Sequence, residues 1–209
     1  MKNYRSLTLA IIAAWFVLSF TASALHVFEN TANRIGIAVA IAASAPLLIF
    51  AVWYGTSEKF RQFVLSVDPQ RLTSLQMWRL IGFIFVVLQA REVLPAVFAL
   101  PAGYGDMLVG ATATLAAWKL TTPSRRAGFI LWQILGITDL VLAVGLGTTA
   151  RLISPGGASM GAMTVLPLSL IPTFLVPLFL IFHVMCIAQA RRWPVQGSVV
   201  RATAQPARA

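Results

Sequence analysis

Six long apolar stretches constrain the fold of this chain more than any other feature of its sequence. They cover residues 7–27, 35–54, 77–100, 105–118, 127–147 and 165–189. All but the fourth can cross a hydrocarbon core of about 30 Å at about 1.5 Å of rise per helical residue. Only 11% of the 209 residues are charged, so no water-soluble core could hide these stretches. The sequence therefore predicts an all-α, polytopic integral membrane protein, a bundle of six transmembrane helices.

The chain is expected to form one transmembrane domain over residues 1–192, followed by a basic tail. Residues 193–209 are polar and contain proline, which favours a disordered cytoplasmic segment. Residues 1–24 have a second interpretation as a cleaved signal peptide, with a basic start, an apolar middle and Ala22-Ser23-Ala24 as the cleavage site. Because the apolar run continues through Val27, an uncleaved helix is the favoured interpretation.

The distribution of basic residues predicts the orientation of the bundle. With the N-terminus in the cytoplasm, thirteen of the sixteen Lys and Arg residues lie inside or at the inner boundary, and Arg34, Arg91 and Arg151 remain. These thirteen are Lys2, Arg5, Lys59, Arg61, Arg71, Arg79, Lys119, Arg125, Arg126, Arg191, Arg192, Arg201 and Arg208. This bias predicts a bacterial-type cytoplasmic (inner) membrane protein with both termini inside. The net charge of +10 then faces anionic headgroups, and no nucleic-acid motif is present.

Charged residues inside the apolar stretches are the candidate functional site. Arg91, Asp106 and Asp139 each lie 12 or 13 residues from a basic residue taken as the inner anchor. At the rise of a helix this is about 18–20 Å, which predicts one common level in the outer half of the bilayer. Charge is costly at that depth and is rarely unpaired. We therefore expect Arg91 to contact Asp139 or Asp106 across helices.

Two further polar residues extend this candidate site. Gln89 and Glu92 are three residues apart and share a helix face beside Arg91. One arginine would then face up to three acids, so at least one acid should bind a proton or a cation, or face water. A group of that kind suits a proton-coupled carrier, whereas an Arg91–Asp139 pair could equally serve only to fix helix packing.

Asp106 has a structural interpretation of its own. The segment Leu100-Pro101-Ala-Gly103-Tyr-Gly105-Asp106 predicts a helix break followed by a short helix, with Asp106 as its N-cap. A short echo, Gly-x-x-Asp, ends at Asp106 and again at Asp139, and its glycines would let helices approach closely.

A second polar pair is expected nearer the inner side. Gln133 and His183 fall at similar depth and could hydrogen-bond across two helices. The other histidine, His26, is predicted near the outer surface, so the two imidazoles could not share one haem iron. A single cysteine, Cys186, does not suit a thiolate metal centre. The sequence predicts no cofactor and no metal.

These patterns favour a small permease or carrier-like protein whose partners are the lipid bilayer and a small solute or a proton. Two alternatives stay open. One is a membrane enzyme or redox subunit acting on a lipid or quinone, and the other is a non-catalytic scaffold or assembly protein whose charges only lock helices together.

Overall fold

The structure, a computed structural model, describes residues 2–29 and 36–194, and every regular element within these ranges is helical. The α-helices are α1 (Lys2–Ala24), α2 (Ile37–Thr56), α3 (Glu58–Ser66), α4 (Pro69–Leu75), α5 (Phe83–Ala90), α6 (Ala96–Leu120), α7 (Arg126–Ile153) and α8 (Val176–Ala190). The all-α class predicted from the sequence is confirmed. Most of the predicted tail lies outside the described residues, which end at residue 194.

Five helical segments among the described residues are long and apolar enough to cross a membrane. They are Tyr4–Ala24, Ile37–Thr56, Pro69–Ala90, Pro123–Ile153 and Ile171–Ala190. Helix α6 has 25 residues and the length for a span, but it carries Pro101, three glycines and Asp106 and is not among the five. A membrane location therefore has structural support, whereas six spans and the orientation of the termini stay predictions.

The third long segment begins eight residues before the predicted position 77. The side chain of Asp68 accepts a hydrogen bond from the backbone nitrogen of Gln70 at 2.9 Å, and Pro69 occupies the first turn. Both are favoured starts for a helix. The segment then continues from α4 through a 3₁₀ helix, Gln76–Gly82, into α5. This earlier start moves Arg79 from the helix boundary into the middle of the segment.

The expected break between Gly103 and Asp106 is wrong, because the chain turns ten residues earlier. Helix α5 ends at Ala90, Glu92 adopts a φ of 58°, and Pro95 is the N-cap of α6. Helical backbone is sterically disfavoured for the residue that precedes a proline, so the turn falls before Pro95. Pro101 lies early in α6 and removes only one helical hydrogen bond, which the continuous helix tolerates. Asp106 therefore lies inside a helix and is not an N-cap.

The central helices pack antiparallel to their chain neighbours. The 3₁₀ helix contacts α6 so closely that a side chain at Gly82 would meet Asp106, and one at Gly110 would meet Leu80. Helix α7 packs antiparallel to α6, and α8 packs antiparallel to α7. As a result α4, the 3₁₀ helix, α6, α7 and α8 surround one central volume.

The start of the last long segment, Ile171–Ala190, is irregular and accepts hydrogen bonds from side chains of α1. Residues Ile171–Leu175 form a π-helix before α8. The carbonyl of Thr173 lies four residues before Pro177, which has no N–H to donate. The indole Nε1 of Trp15 donates to this carbonyl at 3.2 Å, and the hydroxyl of Ser19 donates to it at 3.4 Å. Helix α1 thus supplies two side-chain donors to a carbonyl to which Pro177 cannot donate.

Candidate functional site: a buried arginine between two aspartates

Arg79 is the centre of the polar interior, and its side chain is only 1% exposed. Its Nε donates to Oδ1 of Asp106 at 2.7 Å, and its Nη2 donates to Oδ2 of Asp139. Its Nη1 donates to the carbonyl of Gly136 at 3.2 Å and lies 3.3 Å from Nε2 of His183. We call Arg79, Asp106, Asp139 and His183 the central cluster. A buried guanidinium with these contacts uses its donors on four partners from three other helices.

The arginine expected at this site was the wrong one. Arg91 is the C-cap of α5, and Glu92 follows it in an exposed turn, so neither lies inside a helix. Gln89 lies in the last turn of α5, and all three residues are outside the central cluster. The structure thus brings together Asp106 and Asp139, as expected, but pairs both with Arg79. Their helices place the cluster near the middle of the bundle rather than toward the outer end.

A chain of hydrogen bonds leads from Arg79 toward the start of α4. The expected hydrogen bond between Gln133 and His183 is present, with Nδ1 of His183 2.5 Å from Oε1 of Gln133. Nε2 of Gln133 then donates to the hydroxyl of Thr73 at 3.1 Å. That hydroxyl lies 3.7 Å from the sulfur of Cys186, which lies 3.8 Å from the carbonyl of Pro69. The side chains along this path are buried, and each has a partner on a neighbouring element.

The central side chains are each seated against a glycine of the adjacent element. A Cβ at Gly82 would collide with Asp106, and a Cβ at Gly105 would collide with Asp139. In the same way, a Cβ at Gly136 would collide with the imidazole of His183. Small residues allow such close approach between helices. Both glycines of the sequence echo, Gly103 and Gly136, lie at close contacts with another helix, and Asp139 is seated against Gly105.

A small cavity adjoins the cluster. It has a volume of about 20 Å³, and Arg79 and Asp106 form its polar side. Residues from the π-helix and α8 complete it, among them Ile171, Leu175 and Phe179. A cavity of this size holds about one water molecule. The side chains of Asp106 and Asp139 are 13% and 17% exposed, so the carboxylates are less completely enclosed than the arginine.

Within the described residues, no group of three or more His, Cys, Asp and Glu side chains could hold a metal ion. His26, predicted near the outer surface, lies 2.5 Å from Oε1 of Glu29 and is exposed. His183 uses both ring nitrogens within the protein.

These features define an all-helical protein of membrane-like composition with a charged cluster buried at the centre of its bundle. The chain belongs to the family described as Domain of unknown function (DUF8737), whose model matches residues 34–191. The matched range contains the whole central cluster and excludes α1. No curated protein and no solved structure matches the chain.

Arg79 was not predicted as a site residue, because a third helix that begins at position 77 places it at the inner boundary. A signal for the correct start was present in Asp68-Pro69, a residue pair that both caps a helix and occupies its first turn. Counting from Pro69 places Arg79 about 15 Å along the helix, which is a depth where a partner is required.

Proposed function

We propose that this protein is a small multi-pass membrane permease that carries a proton on its central cluster. The observation that supports this most is one guanidinium shared by two carboxylates, Asp106 and Asp139, in the interior of the bundle. If both acids are ionised, the three side chains carry a net charge of −1. A net charge is costly in the centre of an apolar bundle, and a bound proton removes it.

The geometry favours the carboxylates as the groups that exchange the proton. The guanidinium of Arg79 stays charged in proteins and cannot be the exchanging group. His183 receives a hydrogen bond from Arg79 and makes a second one to Gln133, so both of its nitrogens have structural roles. Asp106 and Asp139 are the remaining titratable groups of the cluster, and Asp106 faces the cavity.

The size of the cavity supports a proton rather than a larger solute at the cluster in this conformation. Movement of a solute would need a second conformation in which the bundle opens. Two irregular segments form part of the site: the 3₁₀ helix Gln76–Gly82 carries Arg79, and the π-helix Ile171–Leu175 lines the cavity beside it. Long 3₁₀ stretches and π-helices inside helical segments often mark functional hinges. We infer that these two segments move when the carrier opens.

The proposal includes a cytoplasmic membrane location with both termini inside. Arg79 no longer counts as a boundary residue, which leaves twelve of the sixteen basic residues on the inner side. That bias still favours the same orientation. Alkaline phosphatase, which is active only outside, should be active when fused after Ser154, just beyond α7, and inactive when fused after Trp193. The reverse pattern would contradict the orientation.

Transport is tested with purified protein in proteoliposomes and a panel of radiolabelled small solutes. We expect an imposed proton gradient alone to drive accumulation of at least one solute. Asp139→Asn should abolish gradient-driven accumulation but retain exchange of solute down its own gradient. The matched control is Asp68→Asn, which changes an exposed acid outside the cluster.

Two results would contradict the proposal. One is accumulation that is indifferent to the proton gradient. The other is wild-type behaviour of Asp106→Asn and Asp139→Asn in every assay, which would indicate a scaffold whose charges only specify packing.

A further inference from the structure

A second site lies in a groove between the end of α6 and the start of α7, away from the central cluster. The groove has a volume of about 560 Å³, within the range of ligand sites in proteins. Its floor is apolar, and two cations stand at one end. The residues that form it include Leu115, Ala116, Lys119, Leu120, Arg125 and Trp132.

The apolar floor of the groove is formed by aliphatic and aromatic side chains. Ala116 is buried and leaves room between the two helices. The indole of Trp132 donates its N–H to the hydroxyl of Thr112 at 3.1 Å, so its polar edge is satisfied inside the protein. The part of the ring that lines the groove is available for apolar contact. This floor suits a hydrocarbon chain better than a polar solute.

The charged end of the groove suits an anion. Lys119 and Arg125 are both exposed, and none of the groove's lining residues, all in the described part of the chain, is acidic. The ammonium of Lys119 lies 4.0 Å from the ring centroid of Trp118, a residue that is 67% exposed. Exposed indoles next to basic residues at the ends of apolar helices are typical of the headgroup level of a membrane.

We propose that this groove binds an anionic phospholipid, with an acyl chain on the floor and the phosphate against Lys119 and Arg125. Charge complementarity selects this occupant. A neutral lipid would leave the two cations without a partner, and a small free anion would leave the apolar floor without a contact. Basic pockets between membrane helices bind anionic headgroups in this way. The ring centroids of Trp132 and His183 are 5.8 Å apart, so the lipid would contact a neighbour of the central cluster.

The proposal is tested by fluorescence quenching in vesicles. The probes are brominated phosphatidylglycerol and brominated phosphatidylcholine, each diluted in unbrominated phosphatidylcholine. The signal of Trp132 is the difference between the protein and its Trp132→Phe variant. Each positive charge near a lipid headgroup favours an anionic lipid by a factor of about five, so phosphatidylglycerol should quench Trp132 at a concentration at least about tenfold lower.

Lys119→Gln combined with Arg125→Gln should remove this preference. Both side chains are exposed, so the double variant is expected to fold. The matched control is Lys59→Gln combined with Arg71→Gln, which removes two exposed charges at the same end of the bundle and should keep the preference. Equal quenching by the two lipids, or the same loss in the control variant, would overturn the proposal. Neither result depends on whether the protein transports a solute.

Discussion

Nη1 of Arg79 lies 3.3 Å from Nε2 of His183, and this contact sets the direction of the hydrogen bonds beyond it. A guanidinium can only donate, so Nε2 must accept and Nδ1 must carry the ring proton. Nδ1 then donates to Gln133, whose amide donates to the hydroxyl of Thr73. The polarity continues from Thr73 through Cys186 to the carbonyl of Pro69. The central cluster is thus connected to the first turn of α4 by one oriented chain.

This orientation predicts the tautomer of His183. We expect nitrogen NMR of the labelled imidazole to show a neutral ring with its proton on Nδ1 at neutral pH. Replacing Gln133 with Ala should leave the proton on Nδ1, because Nε2 still accepts from Arg79. An Nε2-protonated ring in the unmodified protein would contradict the contact with Arg79.

Removal of Arg79 should destabilise the protein strongly. Arg79→Ala leaves Asp106 and Asp139 in the interior without their cation, and losing one partner of a buried ion pair costs about 3–5 kcal/mol. The free energy of unfolding in detergent measures this change. The control is Arg91→Ala, an exposed site in the turn before α6, which should change it by no more than about 0.5 kcal/mol. Equal effects at the two positions would contradict the central role of Arg79.

A double-mutant cycle distinguishes direct contact from a general effect of charge. Arg79→Gln combined with Asp139→Asn should destabilise the protein less than the two single changes added together. For groups in contact we expect an interaction free energy of about 0.5–3 kcal/mol. Strict additivity would mean that the two side chains do not touch in the folded protein.

The close approach at Gly105 predicts opposite results for two glycine substitutions. Gly105→Ala forces its new methyl group into Asp139 and should cost about 1–3 kcal/mol. Gly145→Ala in α7 meets no atom within 4 Å, and alanine favours a helix over glycine by about 1 kcal/mol. It should therefore be neutral or stabilising. Melting temperatures of the two variants test this contrast, and a stabilising Gly105→Ala would contradict the packing of α6 against α7.

The attachment of α1 depends on the carbonyl of Thr173. Trp15→Phe combined with Ser19→Ala removes both side-chain donors to this carbonyl. Leaving a buried acceptor without a partner costs about 1–3 kcal/mol. Thr21→Ala, an exposed site on the same helix, serves as the control in the same unfolding measurement. Equal stability of the double variant and the control would show that α1 does not depend on these bonds.

The sequence by itself determined the all-α class and a membrane-like composition, because few folds other than membrane helices can bury apolar stretches of this length. It also identified Asp106, Asp139, Gln133 and His183 as polar groups inside apolar helices, since charged and polar residues within such stretches require partners. These conclusions depend on composition and on spacing along one helix, which sequence shows directly.

Only the tertiary structure decided which arginine pairs with the aspartates. The choice between Arg79 and Arg91 depended on where two helices begin and end, and a shift of eight residues exchanged their roles. Local signals at Asp68-Pro69 and before Pro95 compete with the equally apolar sequence around them, so the boundaries were ambiguous. The contacts of Gly82, Gly105 and Gly136 were likewise fixed by helix packing, because no local pattern shows which residue of another helix a glycine will face.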